Sequence, residues 1–153
     1  MQVSQLLELD RISCDNPAAS KKRVLEQLSE LISQGENALN QNQIFDSLLS
    51  RERLGSTGLG RGVAIPHARM KDNDRTIAAL LRLEHGVDFD AIDGQPVDLV
   101  FALLVPEQAT EEHLQLLAQL AEMFSDKELV EHLRDSSDSQ HLLNTLREWQ
   151  QQH

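Results

Sequence analysis

Apolar positions along the chain follow two rhythms in succession. Over residues 20–33, Val24, Leu25, Leu28, Leu31 and Ile32 recur at helical spacing, which predicts an amphipathic helix ended by Gly35. A second helix over 41–53 would bury Ile44, Phe45, Leu48 and Leu49. It would carry Arg51 in its last turn, where a cation complements the helix dipole. The rhythm then shortens. Val63-Ala64-Ile65 is an apolar run halted by Pro66, whose nitrogen has no hydrogen for a strand ladder. Residues 76–83 read as a strand, and 97–105 are nearly continuous apolar sequence broken only by Asp98. That second run predicts a central buried strand closed by Pro106. Residues 71–75, Gly86 and Asp93-Gly94 mark turns, and a short leader with a strand over 11–14 precedes a turn at Asp15-Asn16-Pro17. Three helices, over 111–124, 126–134 and 139–151, complete the chain. The expected class is α/β, a small mixed sheet flanked by helices in one compact domain over 1–153.

Composition narrows the core and the partners. Of 153 residues, 40% are hydrophobic but only 3% aromatic, so the core must be Leu, Ile, Val and Ala. A net charge of −11 argues against nucleic acid and against anionic membrane surfaces as partners. No apolar run approaches the ~20 residues that span a bilayer, and the first residues lack the basic start and apolar core of a signal peptide. The single cysteine, Cys14, excludes an intrachain disulfide and fits a reducing compartment. A cytoplasmic location without membrane insertion is expected.

Candidate chemistry concentrates in one stretch. Four of the seven glycines lie between Gly55 and Gly62, just ahead of the strand that points to His67. His67 would follow the carboxyl end of that strand, where α/β proteins place their chemistry. Glycines there let backbone N–H groups approach an anion. Between Arg51 and Lys71, five cations (Arg51, Arg53, Arg61, Arg69 and Lys71) face one acid, Glu52. Solvated surface charge explains most such runs, but a basic island on an acidic protein favours a small anion or a phosphorylated partner. His113 falls on the predicted apolar stripe with Leu117, Leu120, Ala121 and Phe124. A histidine so placed is more often a satisfied core residue, yet its helix follows the strand ending at Val105 closely enough to share His67's rim. Neutral imidazole is a fair nucleophile toward phosphorus, and a guanidinium offers planar donors to phosphoryl oxygens. Arg51, His67 and His113 together could therefore handle a phosphoryl group with no metal and no cofactor. An apolar patch of Leu54, Leu59 and Ile65 beside Arg61 and Arg69 is the candidate docking face.

These residues also carry a resemblance. Arg51-Glu52-Arg53-Leu54-Gly55-Ser56-Thr57-Gly58, followed by Gly62-Val63-Ala64-Ile65-Pro66-His67, resembles the signature of enzyme IIA of the fructose/mannitol type in the bacterial phosphotransferase system. The run from Phe89 to Pro106 is closer to the family's nitrogen-regulatory branch. The resemblance covers nearly the whole chain. It implies that His67 is phosphorylated, that Arg51 and His113 flank the phosphoryl group, and that Ser56 and Thr57 bond the phosphate or the His67 ring. It also implies a histidine phosphocarrier protein of the nitrogen system as donor, an upstream enzyme I, and regulatory targets such as transporters or sensor kinases. Transfer onward to a sugar permease domain is the alternative fate. Ala68-Arg69 departs from the Gly-Lys pair usual in relatives and would forbid a positive φ there. Other motifs fail: the glycine loop precedes its strand, unlike a dinucleotide fingerprint, and Gly60-Arg61-Gly62 is not a P-loop ending. Ile92 stands where a calcium loop needs a ligand.

Overall fold

A computed structural model describes residues 3–34 and 39–153. Gly35, the expected helix stop, lies outside the described residues. Helices α1 (Lys21–Ser33) and α2 (Gln41–Leu54) form where the period predicts, capped by the side chains of Ser20 and Asn40. Five further elements are strands or strand fragments after β1 (Ile12–Asn16): β2 (Gly58–Gly60), β3 (Val63–Ala64), β4 (His67–Met70), β5 (Ile77–Val87) and β6 (Val97–Pro106). Helices α3 (Thr110–Phe124), α4 (Lys127–Asp135) and α5 (Ser139–Gln152) follow. Two 3-10 turns, Val3–Leu6 and Leu9–Arg11, precede β1.

The strands make one mixed sheet in the order β1-β5-β6-β3-β2, with β4 also paired to β6. Antiparallel β5 and β6 form its centre, and β3 and β4 run parallel to β6 in succession along its other edge. The period-2 alternation of β6 divides the core. Leu99, Phe101, Leu103 and Val105 face α3, α4 and α5, whereas Val100, Ala102 and Leu104 face α1 and α2. Both faces are covered, which is why the sequence of β6 reads as a continuous apolar run.

Several local expectations change. Residues 58–60 are a strand, not a free loop: they pair with β3 through a turn in which Gly60, Arg61 and Gly62 all have positive φ (92°, 59° and 83°). Pro66 interrupts its strand without ending it. Its carbonyl accepts from the Leu103 amide at 3.0 Å, and pairing resumes with His67 opposite Leu103. Gly86 is not a turn but lies inside β5, where a Cβ would come within 2.8 Å of the Pro96 side chain. Asn16, expected in a turn, ends β1 instead, beside an irregularity in its pairing with β5. Ala68 lies in extended β4 opposite Leu104, so that position needs no glycine. On α3 the buried stripe is His113, Leu116, Leu120, Met123 and Phe124; Leu117 is half-buried and Ala121 exposed. The helix is rotated slightly from the expected face, and both readings keep His113 inside.

Candidate functional site

Alternation along β3 and β4 sends Ile65 and His67 to the same face of the sheet, the side covered by α3. His113, in the first turns of α3, meets His67 there with ring centroids 5.0 Å apart and planes tilted by 53°. From the other side of this sheet edge comes Arg51, in the last turn of α2. Its Nε donates to His67 Nε2 at 3.3 Å, and its Nη1 donates to the Gly55 carbonyl at 2.8 Å. The His67 Nδ1 lies 2.8 Å from the Ile65 carbonyl, an oxygen that can only accept. That contact assigns the proton to Nδ1, and the Nε2 lone pair is then the one that accepts from Arg51.

Burial of His67 lowers its proton affinity most; the Ile65 carbonyl raises it, Arg51 lowers it and Glu52 raises it. The net direction is below the ordinary histidine value. His113 is pushed down to about 4, first by burial and then by His67, Arg69 and Arg51. Both rings are therefore neutral at pH 7. The His113 Nδ1 is buried without a hydrogen-bond partner among the described residues.

These groups open on a cavity of about 680 Å³ whose lining includes Arg51, Leu54, His67, Arg69, His113 and Leu114. Ser47, Ser50 and Thr110 add hydroxyl groups. Arg69 Nη1 donates to Thr110 Oγ1 at 3.3 Å. Among the described residues, neither Arg51 nor Arg69 has a carboxylate within ion-pair distance. The cavity thus presents a ring nitrogen that accepts from Arg51, two guanidiniums bonded to neutral groups and a neutral second imidazole, a set of donors suited to an anion.

Other residues singled out by sequence go elsewhere. Ser56 Oγ donates to the Phe89 carbonyl at 2.7 Å, and Thr57 Oγ1 donates to buried Glu52. Neither hydroxyl lines the cavity. Leu59 is 38% exposed on β2, away from the lining residues. Ile65 is a core residue and offers no docking surface. Arg61 sits near the opposite end of β6, where its backbone N–H donates to Asp93 at 2.8 Å. Leu54, 85% exposed, does flank the cavity, and its counterpart across the opening is Leu114, 62% exposed. Sequence reading missed Leu114 because it counts only as an off-face position of α3. It also passed over Glu52, whose only sequence signal is that it is the single acid in a basic run.

Comparison with known proteins finds relatives over nearly the whole chain. The family model described as "Phosphoenolpyruvate-dependent sugar phosphotransferase system, EIIA 2" matches residues 5–149. The chain is 46% identical over 142 residues to a nitrogen regulatory protein of Pseudomonas aeruginosa, covering 93% of this chain and 92% of the relative. It is 40% identical over 147 residues to the nitrogen regulatory protein of Escherichia coli, covering 93% and 87%. The crystal structure of nitrogen regulatory protein IIA-Ntr from Neisseria meningitidis superposes with a TM-score of 0.89 at 43% identity, covering 94% of this chain and 98% of the other. IIA mannitol from E. coli, at 23% identity and a TM-score of 0.76 over 92% of this chain and 98% of that one, shares the fold.

Proposed function

Because the chain belongs to the EIIA 2 family of the phosphoenolpyruvate-dependent sugar phosphotransferase system, we propose that it accepts a phosphoryl group on His67 Nε2 and regulates its targets by that state. The observation that carries the reading is the tautomer lock. With Nδ1–H held by the Ile65 carbonyl, the Nε2 lone pair faces the cavity beside Arg51. The lone pair attacks phosphorus, the bond from phosphorus to the donor's histidine nitrogen breaks, and that electron pair returns to the donor ring. Charge on the transferring oxygens is met by Arg51, with Arg69 at the cavity wall. A neutral His113 supplies a dipole without adding a positive charge that would depress His67 further.

Family membership makes the donor an upstream phosphocarrier of the phosphotransferase system, and we assign it to the nitrogen branch because relatives at 46% and 40% identity are nitrogen regulatory proteins. Leu54 and Leu114, apolar beside the two guanidiniums, form the docking rim for that carrier. A phosphoryl dianion at this rim would cancel the charge of the two guanidiniums, which alters contacts with transporters or sensor kinases. No helix among the described residues is long and apolar enough to cross a membrane; a cytoplasmic site of action is part of the proposal.

The test is intact-mass spectrometry at alkaline pH after incubation with phosphoenolpyruvate, a nitrogen-type enzyme I and its carrier. One acid-labile phosphoryl group, absent from His67→Ala, is the expected result. No added mass with a demonstrably active carrier overturns the proposal.

A further inference from the structure

Glu52 lies in the last turn of α2 between Arg51 and Arg53, yet it is only 6% exposed. A buried carboxylate is costly unless charge and hydrogen bonds meet it. Here Lys21 Nζ stands 2.9 Å from Glu52 Oε2, the Thr57 amide donates to the same oxygen at 3.3 Å, and the Thr57 hydroxyl donates to Oε1. Lys21 in turn donates to the Phe89 carbonyl at 3.3 Å and lies 4.9 Å from the centre of the Phe89 ring. Ser56 Oγ reaches that same carbonyl. One ammonium–carboxylate pair therefore ties α1, α2, the glycine segment and the turn after β5 together. None of its members lines the cavity.

Two bonded routes lead from this pair to the site. Thr57, gripped by Glu52 through its amide and hydroxyl, accepts from the Ile65 amide at 3.0 Å, and the Ile65 carbonyl fixes His67 Nδ1. The second route runs back along the chain. With Thr57 anchored, Gly55 is held in place, and its carbonyl receives Arg51 Nη1. Both the nucleophile's tautomer and the guanidinium's aim thus depend on where Thr57 sits.

We propose that Glu52 is a positioning residue for phosphoryl acceptance, paired with Lys21 and acting through Thr57 on His67 and Arg51. This rests on the reading of His67 as acceptor. The carboxylate's negative charge also opposes the effects of burial and Arg51 on His67. The charged and titratable groups around that ring are Arg51, Glu52 and Asp46 from α2, Arg69 on β4, His113 on α3 and Glu107 after β6.

Glu52→Gln keeps the shape but turns one acceptor into a donor facing Thr57 and Lys21. The expected result is a fall in kcat for phosphoryl acceptance on the order of tenfold to a hundredfold, with KM for the carrier unchanged. The NMR titration midpoint of His67 should drop at the same time. Lys21→Met combined with Glu52→Gln removes the half-buried ammonium that Glu52→Gln leaves with only Asp90 Oδ2, 3.6 Å away, as carboxylate partner among the described residues, and should recover the melting temperature without recovering the rate. A folded Glu52→Gln protein with wild-type kcat overturns the proposal, as does a double variant that regains rate and stability together. Should the wild-type protein accept no phosphoryl group, the ring-nitrogen NMR shifts of neutral His67 decide: loss of the Nδ1–H tautomer in Glu52→Gln supports positioning, and an unchanged tautomer refutes it.

Discussion

The two ends of β6 each gather arginines, and they use them in opposite ways. Near its start, Arg134 grips Asp98 through two nitrogens, with Nε at 2.9 Å from Oδ2 and Nη2 at 2.9 Å from Oδ1. The same Arg134 donates to the Arg61 carbonyl at 2.7 Å, and Arg61 Nη1 donates to the Ser125 carbonyl at 3.1 Å. Every guanidinium there is matched to an acceptor, and the result is a latch joining α4 and the end of α3 to the β2–β3 turn. At the far end, Arg51 and Arg69 face a cavity with no carboxylate partner among the described residues. Nearby Glu52 could have neutralised Arg51, but it turns away to Lys21. Cations matched within the fold hold structure; cations left facing a cavity await an anion.

Breaking each end separately tests that contrast. The largest effect should come from Arg51→Ala, which is expected to slow phosphoryl acceptance on the order of a hundredfold or more while the melting temperature stays within about 2 °C of wild type. Rapid-quench transfer kinetics beside calorimetry would show it, and a large loss of stability would mean that Arg51 too is a latch. Arg69→Ala should cost only about threefold to tenfold, mainly in KM, because the side chain is exposed and, among the described residues, its hydrogen-bond partner is Thr110. Lowering pH should weaken the fold gradually. Burial holds His113 at about 4 in the native state, whereas the unfolded chain protonates near ~6.5. The unfolded state then takes up protons first, so stability is full above ~6.5 and falls as pH drops toward 4. Urea midpoints across that window, in wild type and His113→Gln, should converge at the acid end. The smallest effect belongs to Arg134→Ala, expected to lower stability by about 1 kcal/mol and leave acceptance unchanged.

The sequence made much of this legible, for identifiable reasons. The helical periods of α1 and α2 and the apolar run of β6 are local signals, and each element formed within a residue or two of its expected bounds. The approach of His113 to His67 was expected from chain order, since a helix start and a strand end share one rim, whereas Arg51 was placed beside them by the family resemblance. The hydroxyls were harder. Ser56 and Thr57 stand in the right loop, but their partners, Phe89 and Glu52, are matched by burial that no local pattern encodes. Ile65 looked like surface beside a basic island and is core because β3 lies between β2 and β6.

The sequence by itself determined the main helices and strands and the aliphatic core, and pointed to His67 as the proposed acceptor, because periodicity and glycine–proline punctuation act over a few residues. Only the tertiary structure decided which charges are matched and which are left for a ligand. That sorting depends on contacts between distant segments: Lys21 with Glu52, Arg134 with Asp98, and His113 with His67. Desolvation makes each contact count, and a one-dimensional pattern carries no measure of how deeply a side chain will be buried.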